Sequence, residues 1–498
     1  MPRLLKPTLV FLLLATSLAL RLPGLFESLW FDEVWRTFII LREEKIADLL
    51  LHDVHNPLYN ALMYAWVRLF GDSEVSIRLP SLIAGYALVW LIWRWARERL
   101  GPRPAAIAAI WLLLAPVPVW YSTEAKNSIF TVLTSAWVLV THSNLLASDR
   151  ANLSRRAWLC ITACVLAVLT DFQTLLILLP VWLAVSIEAR RRARRAQGTP
   201  EPDPSAPPPL WPKFTLIILT SLFLLAPLLI FKATHVSDLS RDYPSIFHLK
   251  ALLWFLCLWM PIGTVLPNAP PGWWPLEVAA TGIIILPLLC LGLGRLWRTQ
   301  WARLVVPAFT LPLLFYFIIS ALLTALSDIR IYQDRNIIVL MAWYPVVLAA
   351  GIDSIQRPRL RAAAAGILLG GALLSTILIN TVLSNSWTVM APNPDWRSAA
   401  RLLDAAPGKA LVLSRTTMLP LEYYARDVEL IEFPKHAVPS EEIARILSQR
   451  PEQEFFLLSD PWWSGLKDAD MPAIDAAFPL VERTTLQSLV VERRRRSP

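Results

Sequence analysis

The sequence predicts an α-helical polytopic membrane protein over residues 1–385, with roughly 11 spans, closed by a small α/β domain over residues 386–498. Three observations predict it. Apolar runs of roughly 18 or more residues recur through the first part, each long enough to cross a bilayer. Only 17% of the residues are charged, against about a quarter in a soluble chain. After Asn385 the long runs give way to short apolar strands alternating with helices. The 23 Trp suit membrane–water interfaces. A net charge of +9 does not signal nucleic acid, because Lys and Arg cluster between the apolar runs, where membrane orientation requires them. Cys160, Cys164, Cys257 and Cys290 all lie in apolar runs and form no metal-ligand spacing.

Arg3 and Lys6 precede the first run, Thr8–Leu22, and no A-x-A-like site follows it. The run therefore reads as a retained anchor with a cytoplasmic N-terminus, and the next loop, Pro23–Tyr59, lies outside. Phe38–Leu51 and Leu58–Phe70 are amphipathic and are expected along the interface. Further spans are expected at Ile77–Ala96, Ala105–Tyr121, Ser128–Val140 and, as a pair turning at Thr170–Gln173, Ala157–Val185. Others follow at Phe214–Phe231, Leu276–Leu293, Leu304–Leu326, Ile337–Gly351 and Ala362–Leu383. Ala251–Met260 is short for a span and reads as re-entrant or interfacial. The basic connectors (Arg97 to Arg103, Arg150 with Arg155 and Arg156, Glu188–Arg195, Arg295 to Arg303, Arg357 to Arg361) all fall inside. In the last domain, Lys409–Thr417 and Glu454–Asp460 read as strands. Arg397–Ala406 and Ser440–Arg450 read as helices, the second with an imperfect capping box at Ser440. The terminal Glu492–Arg496 run reads as a basic tail. No dinucleotide or ATP motif is present.

Chemistry is most expected in the polar insert after the first span. Asp32 and Glu33 stand between Trp30 and Trp35. A carboxylate there can take a proton from an attacking hydroxyl, and Asp32 is the candidate base. Glu33 is placed to orient a partner or bind an acceptor. The plainer reading is two acids at a helix start, where they favour the dipole. His55 is a candidate for metal, phosphate or acceptor, or an ordinary loop histidine. Arg78 pairs with Glu74 or Asp72 in this reading, or binds substrate. Glu124 and Lys126 end the third span, Lys126 as a phosphate contact or a snorkelling lysine. Arg330 and Arg335 flank Tyr332 and Asp334 in an outer loop, where an arginine fork can hold phosphate. Asp171 and Gln173 are candidates to line the same cavity, and Asp238, Arg241, Asp242 and Tyr243 to form a loop over it. A divalent metal would draw on Asp32, Glu33, His55 and Glu124, although no compact ligand motif is present. These residues alone leave a membrane enzyme or a transporter.

The pieces WFDEVW (Trp30–Trp35), HNPLYNALMYAWVRLFGDSEVSIRLPSLIAG (His55–Gly85), YSTEAKNS (Tyr121–Ser128), DRNIIVLMAWYP (Asp334–Pro345) and PDWRSAARLL (Pro394–Leu403) carry a resemblance. Together they resemble the polyprenyl-phosphate-dependent membrane glycosyltransferases of the GT-C superfamily, in the family 39, ArnT-like and RgtA/B/C/D-like subgroup. The resemblance implies a polyprenyl-phosphate-linked sugar donor. It implies inverting transfer to a lipid, glycan or protein acceptor on the periplasmic or external face of a bacterial inner membrane. It maps the base onto Asp32, with Glu33 completing the acidic pair, and the basic residue onto Lys126, where the subgroup usually reads EAR. Arg335-Asn336 stands where RY is usual, and Asp171-Phe172 where many members carry a histidine turn. The competing function is a transporter or flippase of lipid-linked saccharide, which calls for discontinuous helices and charges inside spans.

Overall fold

The computed structural model describes residues 7–42, 45–46, 56–148, 151–197, 211–235, 249–263, 274–299, 302–327, 334–381, 393–406, 408–415, 418–434, 437–450, 454–459, 466 and 469–496. Among these, eight helices are long and apolar enough to cross a bilayer, beginning with Pro7–Phe26 and Glu74–Arg99 and ending with Pro358–Thr381. Four shorter apolar stretches accompany them: Pro102–Leu114, Pro212–Ala226, Lys250–Ile262 and Ile337–Asp353. The chain is a multi-pass membrane protein. The four cysteines are free.

Two expected spans are not continuous helices. The stretch expected at Ala105–Tyr121 breaks at Ala115 into Pro102–Leu114 and Pro116–Tyr121. Pro116 and Pro118 have no N–H to give, so the carbonyls one turn earlier lose their helical partners. Inside a bilayer each such carbonyl must find another donor. The extended turn at Ala115 frees Leu113 O as well, and Arg21 of the first helix serves two of the three: Nη1 donates to Leu113 O at 2.9 Å and Nη2 to Leu112 O at 3.3 Å. Ser17 Oγ also donates to Leu113 O at 3.1 Å, and Thr376 Oγ1 to Leu114 O at 2.6 Å. Arg21 is buried in the bundle because the break needs it there. The stretch expected at Ile337–Gly351 is likewise divided, into a 3-10 run, Asp334–Ala342, and an α-helix, Tyr344–Asp353.

That last helix crosses Trp274–Arg298 with backbone against backbone. A Cβ added at Gly351 would lie 2.0 Å from Leu288 O, and one at Gly292 would lie 1.9 Å from Val347 O. Only glycine fits, as at other close helix crossings in membranes. Gly351→Ala is expected to destabilise by about 1–3 kcal/mol through overpacking. A thermal-unfolding series in detergent checks it; an unchanged midpoint would show that the helices can part without loss.

The polar insert folds over one end of the bundle. Phe31–Arg42 and Pro57–Phe70 are its helices, the second starting on Pro57 and closed by Gly71 at φ 79. Leu29, Val34, Ile40, Tyr59, Met63, Val67, Ile77 and Ala125 form a buried cluster there. Leu419, Tyr423 and Tyr424 of the C-terminal domain pack against the same cluster. The insert is therefore held between bundle and domain.

Among its described residues the domain has a five-stranded sheet in the order Val428–Glu432, Ala410–Ser414, Glu454–Ser459, Leu489–Arg495, Leu480–Leu486. β1 (Ala410–Ser414) lies parallel to β2 (Val428–Glu432) and β3 (Glu454–Ser459). β5 (Leu489–Arg495) runs antiparallel to β3 and to β4 (Leu480–Leu486). β1 is apolar from Ala410 to Leu413 because both of its faces are covered. Ala410 and Val412 face one apolar cluster, and Leu411 and Leu413 face the other. Two expectations are corrected. The helix Pro439–Ser448 has Val438 at its N-cap and Pro439 in the first turn, so Ser440 is not its cap. The basic tail is strand β5 for most of its length, with Arg496 just beyond it. Glu492 and Arg494 point inward and pair at 2.6 Å, while Arg493 and Arg495 reach Glu454 on β3 at 2.6 and 2.8 Å.

Candidate active site

Asp32 and Glu33 both fall in the first turn of Phe31–Arg42, where the helix dipole favours acids. Adjacent residues on a helix point about 100° apart, and the two acids take different surroundings. Glu33 is fully buried. Arg78 meets it with both arms of the guanidinium, Nε to Oε1 at 2.9 Å and Nη2 to Oε2 at 2.6 Å. Backbone N–H groups complete the shell, from Ala125 to Oε1 at 2.6 Å and from Trp30 to Oε2 at 3.2 Å. Arg78 also donates to the carbonyls of Glu27 at 2.6 Å and Ser28 at 3.2 Å. Side-chain exposure is 0% for both partners. The expected pairing of Arg78 with Glu74 or Asp72 is thus corrected: its partner lies 45 positions upstream. Fully buried, Arg78 fastens the loop before the Asp32 helix.

Asp32 faces the other way and keeps 29% of its side chain exposed. Lys126, at 14% exposure, forms an ion pair with its Oδ2. The ammonium also lies 4.9 Å from the centre of the Trp30 ring, a favourable cation–π distance. Glu124, two residues earlier, is buried. Asn127, the next residue, donates to Asp171 Oδ2 at 2.6 Å and to Asn56 Oδ1 at 3.0 Å. Asp171 caps a 3-10 turn by accepting from Gln173 N at 2.8 Å. Burial raises the Asp171 carboxyl, and the hydrogen bonds from Gln173 and Asn127 pull it back in part. Arg36, one helical turn after Asp32, donates to Asn60 Oδ1 at 2.8 Å and stacks 5.4 Å over Tyr59.

The structure therefore brings together Asp32, Lys126, Glu124 and Asp171 of the expected site residues. His55, Arg330, Tyr332, Asp238, Arg241, Asp242 and Tyr243 lie outside the described residues. Arg335 sits in the 3-10 run Asp334–Ala342, but its side chain is also outside the described set. Arg36, Asn127 and Glu27 were not singled out as site residues by the sequence. The i,i+4 spacing of Asp32 and Arg36 was the available signal for the first. Glu27 joins Gly24, Trp30, Trp120, Thr123 and Glu124 in a small cleft beside the site. Burial pushes its carboxyl up to about 7, against the lowering pull of the Asn393 N–H and of Arg78.

For a metal, Glu33 is unsuited, since Arg78 and two backbone N–H groups occupy both oxygens. No group of three or more His, Cys, Asp or Glu among the described residues is placed to hold an ion.

A family model described as dolichyl-phosphate-mannose-protein mannosyltransferase matches residues 54–197, which include Arg78, Glu124, Lys126 and Asp171. No curated protein matches the chain. Among solved structures, ArnT from Cupriavidus metallidurans in the apo state is 13% identical, with 98% of each chain covered and a TM-score of 0.59. The same ArnT bound to undecaprenyl phosphate is 13% identical, again with 98% of each chain covered, at 0.57. The mycobacterial arabinofuranosyltransferase AftD is 15% identical, with 100% of this chain and 40% of that chain covered, at 0.52. The fold is that of the membrane glycosyltransferases of the GT-C class, with bundle and C-terminal domain both covered by the match to ArnT. The expected fold is borne out, and the family model spans the motifs His55–Gly85 and Tyr121–Ser128.

Proposed function

We propose that the chain moves a sugar from a polyprenyl-phosphate donor to a lipid, glycan or protein acceptor, with inversion at the sugar carbon. The observation that carries this reading is the partly exposed Asp32–Lys126 pair beside the fully buried and bonded Glu33–Arg78 pair. Asp32 accepts the proton of the acceptor hydroxyl as that oxygen attacks the sugar carbon. The C–O bond to the phosphate breaks on the opposite face, and the electron pair leaves with the lipid phosphate. The leaving group is already an anion, so it needs a cation more than a proton. Lys126 supplies that charge; a bound phosphate competes for its ammonium and leaves Asp32 free to act as base. The ArnT structure with undecaprenyl phosphate supports a lipid phosphate as ligand of this fold. A divalent ion at the phosphate would draw on Glu124 and Asp32, and transfer that survives exhaustive chelation would remove it from the reading.

The site end faces outward in this reading, across a bacterial inner membrane. Helix Glu74–Arg99 carries Arg78 at the site end and Arg94, Arg97 and Arg99 at the other, as a cytoplasmic basic end requires. Transport is the weaker alternative. Its two marks, a broken span and an intramembrane arginine, are both present, but the one serves the other: Arg21 caps the carbonyls the break exposes.

Lys126→Ala is expected to lower turnover on a polyprenyl-phosphate sugar by about 10²-fold, the usual effect of removing one charge-stabilising donor. Lys126→Arg keeps the charge and is expected to retain part of the rate. Steady-state transfer in membranes checks both, and wild-type turnover by Lys126→Ala would remove the phosphate role.

A further inference from the structure

The loop ahead of Asp32 is gripped from two sides. From the bundle, Arg78 holds the carbonyls of Glu27 and Ser28, while within the insert Glu33 holds Trp30 N. From the C-terminal domain, Tyr424 Oη accepts from Leu29 N at 2.8 Å. The same hydroxyl donates to Glu74 Oε1 at 3.0 Å. Arg397 donates to that oxygen as well, from Nη2 at 2.6 Å and from Nε at 3.1 Å. Its Nη2 also reaches Phe26 O at 3.2 Å, and its backbone N–H reaches Ser28 Oγ at 3.3 Å. Successive residues of one short turn are thereby tied to the domain, and the turn leads straight into the helix start that bears Asp32.

Resting on the transferase reading, we propose that Tyr424 and Arg397 are positioning residues, and that through Glu74 the C-terminal domain fixes the place of the Asp32 carboxylate. Three features favour this over simple packing. Tyr424 is both acceptor and donor, so its hydroxyl links the loop amide to the Glu74 carboxylate. Glu74 opens the helix that carries Arg78 one turn later, so both grips share one rigid element. Tyr423 and Tyr424 also pack against the cluster that includes Val34 and Ile40, on the Asp32 helix itself. Catalysis depends steeply on such placement, since a shift of about 1 Å can cost about 10²-fold in rate.

The test uses the full-length protein in nanodiscs. Tyr424→Phe removes one oxygen and leaves the apolar packing. The expected result is a fall in kcat of about 10-fold or more, with donor KM and the unfolding midpoint near wild type. Hydrogen exchange is expected to quicken at the Leu29 and Trp30 amides and not across the domain sheet. Arg397→Lys, which keeps charge but loses the fork, is expected to fall between wild type and Arg397→Ala. Wild-type kcat in Tyr424→Phe, or a loss that merely follows the amount of folded protein, would overturn the proposal. If the intact chain transfers no sugar, the transferase reading fails. The exchange measurement then decides the clamp: unchanged protection at Leu29 and Trp30 in Tyr424→Phe overturns it.

Discussion

Replacing Asp32 by asparagine is expected to lower sugar transfer by about 10²–10⁴-fold, the range in which a positioned general base contributes. The substitution is nearly isosteric and keeps an oxygen for Lys126, so substrate binding changes little and the loss falls on kcat. Stability should barely move, because a partly exposed ion pair contributes about 0–1 kcal/mol. Rate and unfolding midpoint measured on the same preparation separate the two effects. Near wild-type turnover would remove Asp32 as the base. Glu33→Gln is expected to behave differently despite being one residue away. Its carboxylate is closed off by Arg78 and two amides, so its loss shows first as lost folded protein.

The second large effect is on stability. Arg78→Met leaves Glu33 as an uncompensated buried charge, and breaking a buried pair in this way costs about 3–5 kcal/mol. The carbonyls of Glu27 and Ser28 lose their donor at the same time. Glu33→Met with Arg78→Met removes both charges, and the double variant is expected to be less damaged than the sum of the singles. A double-mutant cycle on detergent unfolding measures the coupling. Additive effects would show that the two side chains do not act as a pair.

How much of this was legible depends on whether the deciding contact is local. Eight of the expected membrane spans were, because bilayer thickness imposes a length on each apolar run. The importance of Asp32 and Glu33 was legible from two acids amid apolar sequence. Their division of labour was not, since it turns on Arg78 and Lys126, which lie 45 and 94 positions away. Local spacing instead suggested Glu74 for Arg78, and the fold gives Glu74 to Arg397 and Tyr424. The broken third span could have been read from Pro116 and Pro118, whereas Arg21 as the cap could not, because its acceptors are backbone atoms that only the break exposes. Strand β5 was hidden by its charges. Glu492 and Arg494 alternate with Arg493 and Arg495 just as a strand requires, but the inward pair is ionic and so lacks the apolar signal.

In the proposed reaction a sugar leaves a lipid phosphate at Asp32 and Lys126. The most direct measurement reconstitutes the intact chain in proteoliposomes with a panel of radiolabelled polyprenyl-phosphate sugars and a membrane extract as acceptor source. Label is expected to move from the polyprenyl lipid onto an acceptor with inverted anomeric configuration, and to stay on the lipid with Asp32→Asn. Label that crosses the bilayer while still joined to its polyprenyl phosphate, equally in both proteins, would contradict it.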